Sequence, residues 1–97
     1  MMLEKLQKIE ERLREVERQL AGPAVYTDQQ KLARLMREQK ELAPVVSVYH
    51  ALLRAQQAQE EAEQMLSDPE LRELAQEELH SARAEQEHLR EELKVLL

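Results

Sequence analysis

At 97 residues the chain has the length of one domain, enough for a modest core and too short for two independent ones. Ala, Glu, Lys, Leu and Arg supply 60 of these residues, beyond the roughly 50% that marks coiled coils and long helices. One Gly, two Tyr and no Phe, Trp or Cys exclude sandwiches, barrels, βαβ folds, disulfide frameworks and thiolate metal sites.

The net charge of −6 is unevenly divided: +2 over residues 1 to 54, with 10 Lys and Arg against 8 Asp and Glu, and −8 over residues 55 to 97, with 4 against 12. The acidic half is a poor nucleic-acid footprint, and it reads either as a solvated face or as a surface for a basic partner.

The first element sets Met2, Leu6, Ile9, Leu13, Val16 and Leu20 four and three residues apart, which places them on one stripe of a helix over 2–21. Glu4 with Lys8 and Glu10 with Arg14 add pairs four residues apart on the exposed side. Gly22 and Pro23 end this helix, with Gly22 expected as a left-handed cap. Thr27-Asp28-Gln29-Gln30 fits a capping box between Thr27 and Gln30, opening a second helix over 28–66. Its apolar set is Leu32, Leu35, Met36, Leu42, Val45, Val46, Tyr49, Leu52, Leu53, Ala55, Ala58, Ala62, Met65 and Leu66. Pro44 removes one backbone donor inside it at a cost of about 3 kcal/mol. The pattern resumes in phase beyond Pro44, so a kink is expected there and not an end.

Ser67-Asp68-Pro69-Glu70 opens a third helix over 69–96, either with Asp68 as cap and Pro69 first in the helix, or with Ser67 as cap and Glu70 as its partner. The third stripe is Leu71, Ala75, Leu79, Ala82, Gln86, Leu89, Leu93 and Leu96. Short connections join antiparallel neighbours, so the expected fold is all-α: a single domain over 1–97, an antiparallel three-helix coiled-coil bundle with a long, Pro-kinked second helix. Gln86 and Gln56 fall on or beside the seams, where an unpartnered polar group costs about 1–3 kcal/mol. The chain stops on an apolar cluster of Leu93, Val95, Leu96 and Leu97, which leads us to expect the N-terminal fragment of a longer protein.

Site chemistry is sparse. His50, His80 and His88 are never four residues from one another, and Glu77 with His80 is a single copy of an offset that di-metal bundles need twice. Ser, Thr and Tyr occur in caps or along helices without a Gly-rich loop for an oxyanion or a phosphate. No catalytic residue, cofactor site or metal site is expected, and the chain alone is not expected to be an enzyme. No apolar run approaches the roughly 18 residues of a membrane span and no signal-peptide pattern opens the chain, so a soluble, cytoplasmic protein is expected.

The order of residues is more specific than a helical bundle. Met2-Leu3-Glu4-Lys5-Leu6, the Thr27-Asp28-Gln29 loop, Leu42-Ala43-Pro44-Val45-Val46, and above all Met65-Leu66-Ser67-Asp68-Pro69-Glu70-Leu71-Arg72-Glu73-Leu74-Ala75 through Glu91-Glu92-Leu93-Lys94-Val95-Leu96-Leu97 resemble the N-terminal domain of bacterial class-1 peptide chain release factors. The release factor one type, which reads UAA and UAG, is the nearer of the two. The resemblance implies a helical domain that precedes the parts reading the stop codon and acting on peptidyl-tRNA. The family's codon-reading tripeptide and Gly-Gly-Gln motif have no counterpart in this sequence. By the same resemblance, the partners are the GTPase-associated region of the large ribosomal subunit and the class-3 release factor GTPase. Heptad seams satisfied within one chain can also pair between chains, so the isolated chain is expected to be a monomer or weak dimer. A stand-alone coiled-coil scaffold or oligomerisation module is the alternative reading of the same heptads.

Overall fold

Apolar spacing of three and four residues produces three α-helices and no strand among residues 2–97, which the computed structural model describes. They are α1 (Met2–Ala21), α2 (Gln29–Met65) and α3 (Arg72–Leu96), with a 3-10 turn at Ala24–Thr27 between the first two. The expectation of an all-α helical chain therefore holds. Two compact units divide it, one ending at Ser47 and the other Val48–Leu97, so that α2 contributes to both.

In the first unit α1 runs antiparallel to the opening half of α2. Val16 and Leu35 are buried in one cluster with Leu20 and Leu32 against it, and Arg12 meets Glu38 further along. Val25 from the 3-10 turn completes that cluster, so the connection between the helices is part of the core. Tyr26 donates its hydroxyl hydrogen to the Leu20 carbonyl at 2.7 Å and ties the turn to the end of α1. Leu6, Leu13, Val45 and Val46 are also buried. Glu4 in the first turn of α1 and Arg18 in its last have the signs that suit the helix dipole.

Two local expectations change here. Gly22 has no positive φ. Its amide donates to the Gln19 carbonyl at 3.2 Å, because a final tight turn followed by Pro23 already redirects the chain and needs no left-handed residue. The capping box also does not form. Thr27 is the last residue of the 3-10 turn and its hydroxyl donates back to Ala24 O at 2.8 Å, while Asp28 Oδ1 accepts the Lys31 amide at 3.0 Å. A carboxylate is the better acceptor at the positive end of a helix. α2 then passes through Pro44 without interruption; Pro44 lies on the exposed side.

In the second unit the later half of α2 packs antiparallel to α3. Tyr49, Leu52, Ala55 and Ala62 from α2 and Ala75, Ala82, Leu89 and Leu93 from α3 are buried, so four of these eight contacts are alanines that let two backbones approach closely. Gln86, at 4% exposure the buried polar residue of this core, has partners at both its nitrogen and its oxygen. Its Nε2 donates to Gln59 Oε1 at 2.6 Å and to Ala55 O at 3.4 Å, and its Oε1 accepts from Arg90 Nη2 at 3.3 Å. It therefore fixes register. Met36, Leu53 and Ala58, expected on the apolar stripe of α2, are exposed, as are Met2, Leu71 and Leu96 at stripe ends.

α3 starts at Arg72, three residues later than expected from the sequence. The backbone from Met65 to Leu71 forms successive tight turns, with the Asp68 amide donating to Met65 O at 3.1 Å and the Leu71 amide to Asp68 O at 3.0 Å. Asp68 Oδ1 accepts the Glu70 amide at 3.0 Å and the Ser67 hydroxyl donates to Gln64 O at 3.2 Å. Both candidate caps are thus engaged in the turn, and Leu71 occupies the cap position with no side-chain bond.

Because a Cβ at Gly22 would meet nothing closer than Gln19 O at 3.6 Å, Gly22→Ala is expected to stabilise the chain by about 0.4–1 kcal/mol through the unfolded state, read as a higher thermal midpoint. Gln86→Ala strands Gln59 Oε1 and is expected to cost about 1–3 kcal/mol. Urea unfolding checks this against exposed Glu87→Gln, expected within about 0.5 kcal/mol of the parent.

Candidate functional site

With nearly every buried position taken by packing, the chemistry of this chain lies in its exposed charge. In the first unit Arg12 and Glu38 meet fork to fork, Nε donating to Oε1 at 2.5 Å and Nη2 to Oε2 at 2.8 Å. The hydrogen bond from Arg12 holds the Glu38 carboxyl below its ordinary range, against an opposing effect of burial and with a smaller Coulombic contribution from the same arginine; the same bond raises the Arg12 pKa. This pair joins residues 26 positions apart, a distance that helix-face spacing does not reveal. Within α1, Arg14 pairs with Glu10 at 3.7 Å, as the four-residue spacing suggests, and Arg18 pairs with Glu15.

A cleft of about 260 Å³ beside the Arg12 and Glu38 pair is lined by Gln19, Lys31, Arg34 and Leu35. Lys31, Arg34, Arg37 and Lys40 follow one another at three-residue steps along α2, all exposed. None of their charged groups has a hydrogen-bond or ion-pair partner among the described residues.

The second unit has the opposite character. Around the connection between α2 and α3, Leu71 and Leu74 are 38% and 47% exposed. Leu74 lines a cleft of about 190 Å³ with Ala58, Glu61, Ala62, Met65 and Glu78. Glu60, Glu63, Asp68, Glu70, Glu73 and Glu77 are exposed in the same stretch of sequence. An apolar spot among carboxylates suits a partner that is basic with an apolar contact of its own. At the end of α3, Val95 is 86% exposed, and with Leu96, His88, Glu91 and Glu92 it lines a groove of about 380 Å³.

The residues weighed for catalysis or metal binding are dispersed. Glu77 and His80 share an open cleft with Glu73, Gln76 and Ser81, all from α3. His88 Nε2 is 3.1 Å from Glu92 Oε1 on the same helix. The His50 ring lies 5.9 Å from buried Tyr49, tilted by 37°. No group of three or more His, Cys, Asp or Glu among the described residues is placed to hold a metal ion. No described helix is long and apolar enough to cross a membrane.

Comparison with known proteins gives the class to which this helical chain belongs. Residues 9–97 match the family model described as the PCRF domain, and the chain belongs to this family. Its relatives include proteins named peptide chain release factor 1 from Geobacter sulfurreducens, 38% identical over 96 residues, Exiguobacterium sibiricum, 40% identical over 96 residues, and Caldicellulosiruptor saccharolyticus, 36% identical over 99 residues. Each alignment takes in 99% of this chain and 27%, 27% and 28% of the respective relative, so the chain spans about a quarter of their length. No solved structure matches it.

The Arg12 and Glu38 pair has a signature in acid. Glu38 is lowered from an ordinary value of 4.5, so its contribution to stability is present above the ordinary carboxylate range and disappears as pH falls through the depressed value. Glu38→Gln is expected to lower the thermal midpoint at pH 7 and to converge on the parent as pH falls from the ordinary carboxylate range through the depressed Glu38 value. A constant offset between the two across that range would show that Glu38 is not stabilised as a carboxylate.

Proposed function

We propose that this chain is the N-terminal helical domain of a translation termination factor. In this reading it docks on the GTPase-associated region of the large ribosomal subunit and contacts a class-3 release factor GTPase. Stop-codon reading and peptidyl-tRNA hydrolysis belong to other parts of such a protein, and this chain is neither a hydrolase nor a codon reader. It acts in the cytoplasm, needs no cofactor, and on its own is a monomer or weak dimer.

The observation that carries this reading is similarity along 99% of the chain to proteins named peptide chain release factor 1. The connection between α2 and α3 supports it. Exposed Leu71 and Leu74 beside carboxylates supply an apolar anchor and a field that attracts a basic protein surface, with a salt-sensitive rate of encounter.

Co-sedimentation with purified bacterial large ribosomal subunits tests it. The chain is expected to pellet with the subunits. Leu71→Ser with Leu74→Ser, both at exposed positions, is expected to weaken that binding about tenfold while leaving the helical circular dichroism in place. A chain that stays in the supernatant at every subunit concentration overturns the proposal.

A further inference from the structure

We infer that the opening half of α2 carries a surface for the phosphates of folded RNA, formed by Lys31, Arg34, Arg37 and Lys40. The inference rests on the ribosome-docking reading, since a ribosome is where this chain would meet structured RNA. Its starting point is the contrast between these cations and the other arginines of the first unit. Arg12, Arg14 and Arg18 are each bridged to a carboxylate. The charged groups of Lys31, Arg34, Arg37 and Lys40 are exposed and have no such partner.

At 3.6 residues per turn, steps of three place successive cations about 60° apart around the helix and roughly 4.5 Å apart along it. The four therefore wind around about half the circumference over roughly 13 Å. Lys31 and Arg34 open this ribbon at the mouth of the cleft that also holds Gln19. Glu38, the carboxylate that lines this cleft, is already neutralised by Arg12; Glu15, bonded to Gln19, is paired with Arg18, Asp28 accepts the Lys31 amide, and Glu41 is the one other acid between Gln29 and Ser47.

The neighbours decide between RNA and an acidic protein. Gln30, Ala33 and Pro44 are exposed near these cations, and Met36 is the one large apolar side chain exposed beside them. A protein interface is expected to have aromatic or aliphatic anchors at its centre. Nucleic-acid interfaces are polar and strongly positive, and arginine forks match phosphate oxygens.

The test measures binding of the full 97-residue chain to a fluorescein-labelled 24-nucleotide RNA hairpin from 25 to 200 mM KCl. The slope of log K against log salt is expected to fall by about 1 for each cation removed, hence by about 3 in R34Q/R37Q/K40Q. R54Q/R83Q/K94Q removes the same net charge from exposed positions in the acidic unit and is expected to leave the slope near that of the parent. Circular dichroism confirms that both variants are helical. Equal slopes in the two variants, no binding of the hairpin by the parent, or binding of a poly-glutamate peptide in its place overturns the inference. Because the hairpin assay contains no subunits, it can fail while sedimentation succeeds, and the reverse.

Discussion

Burial of a narrow stripe of side chains along each helix is the condition on which this chain depends. Isolated helices are marginal in water, and helices within proteins gain most of their stability from packing an amphipathic face. α1 gains it from the first half of α2, and α3 from the second half. α2 is thus the common support, and its 37 residues are long because each half serves a different neighbour. With the stripe consumed in this way, no charged side chain among the described residues is buried.

The two units solve the packing problem with different material. The first uses branched aliphatic residues, Val16, Val25 and Leu35, and closes its end with the 3-10 turn. The second alternates alanines with Leu52, Leu89 and Leu93 and adds Gln86. A buried amide among alanines is costly unless its groups find partners, and here Nε2 donates twice and Oε1 accepts once. The charge segregation follows the same division, with unpartnered cations on the first half of α2 and carboxylates clustered around the connection to α3.

The parts of this structure legible in the sequence are those governed by periodicity. α1 and the buried positions of α3 follow from residues spaced by three and four, because that spacing has one geometric solution. The ends were harder to read, for a physical reason: Ser, Thr and Asp can cap a helix or close a turn with the same oxygen. Thr27 and Asp68 both took the turn. Gly22 illustrates the same ambiguity, since a glycine before a proline permits a left-handed cap without requiring one. α2 has more apolar residues than one stripe can bury, so Met36 and Leu53 were placed inside by pattern and are outside in fact. The Arg12 and Glu38 pair, and with it the isolation of the four cations that follow, depends on hairpin register and was not legible from spacing. The family was legible in the Asp68-Pro69-Glu70 connection and its flanks, because this run has few equivalents among Glu- and Leu-rich helices.

The alanines between α2 and α3 make the second unit's tolerance of substitution lopsided. Where a leucine seam has methyl groups to lose, Ala55, Ala62, Ala75 and Ala82 have nothing to give up except their one carbon, and any enlargement pushes two rods apart along their length. Overpacking of that kind costs about 1–3 kcal/mol per site, and the displacement would also pull the Gln86 amide away from Gln59. Drift in this unit is therefore channelled to its outward faces, the faces through which it would meet another molecule.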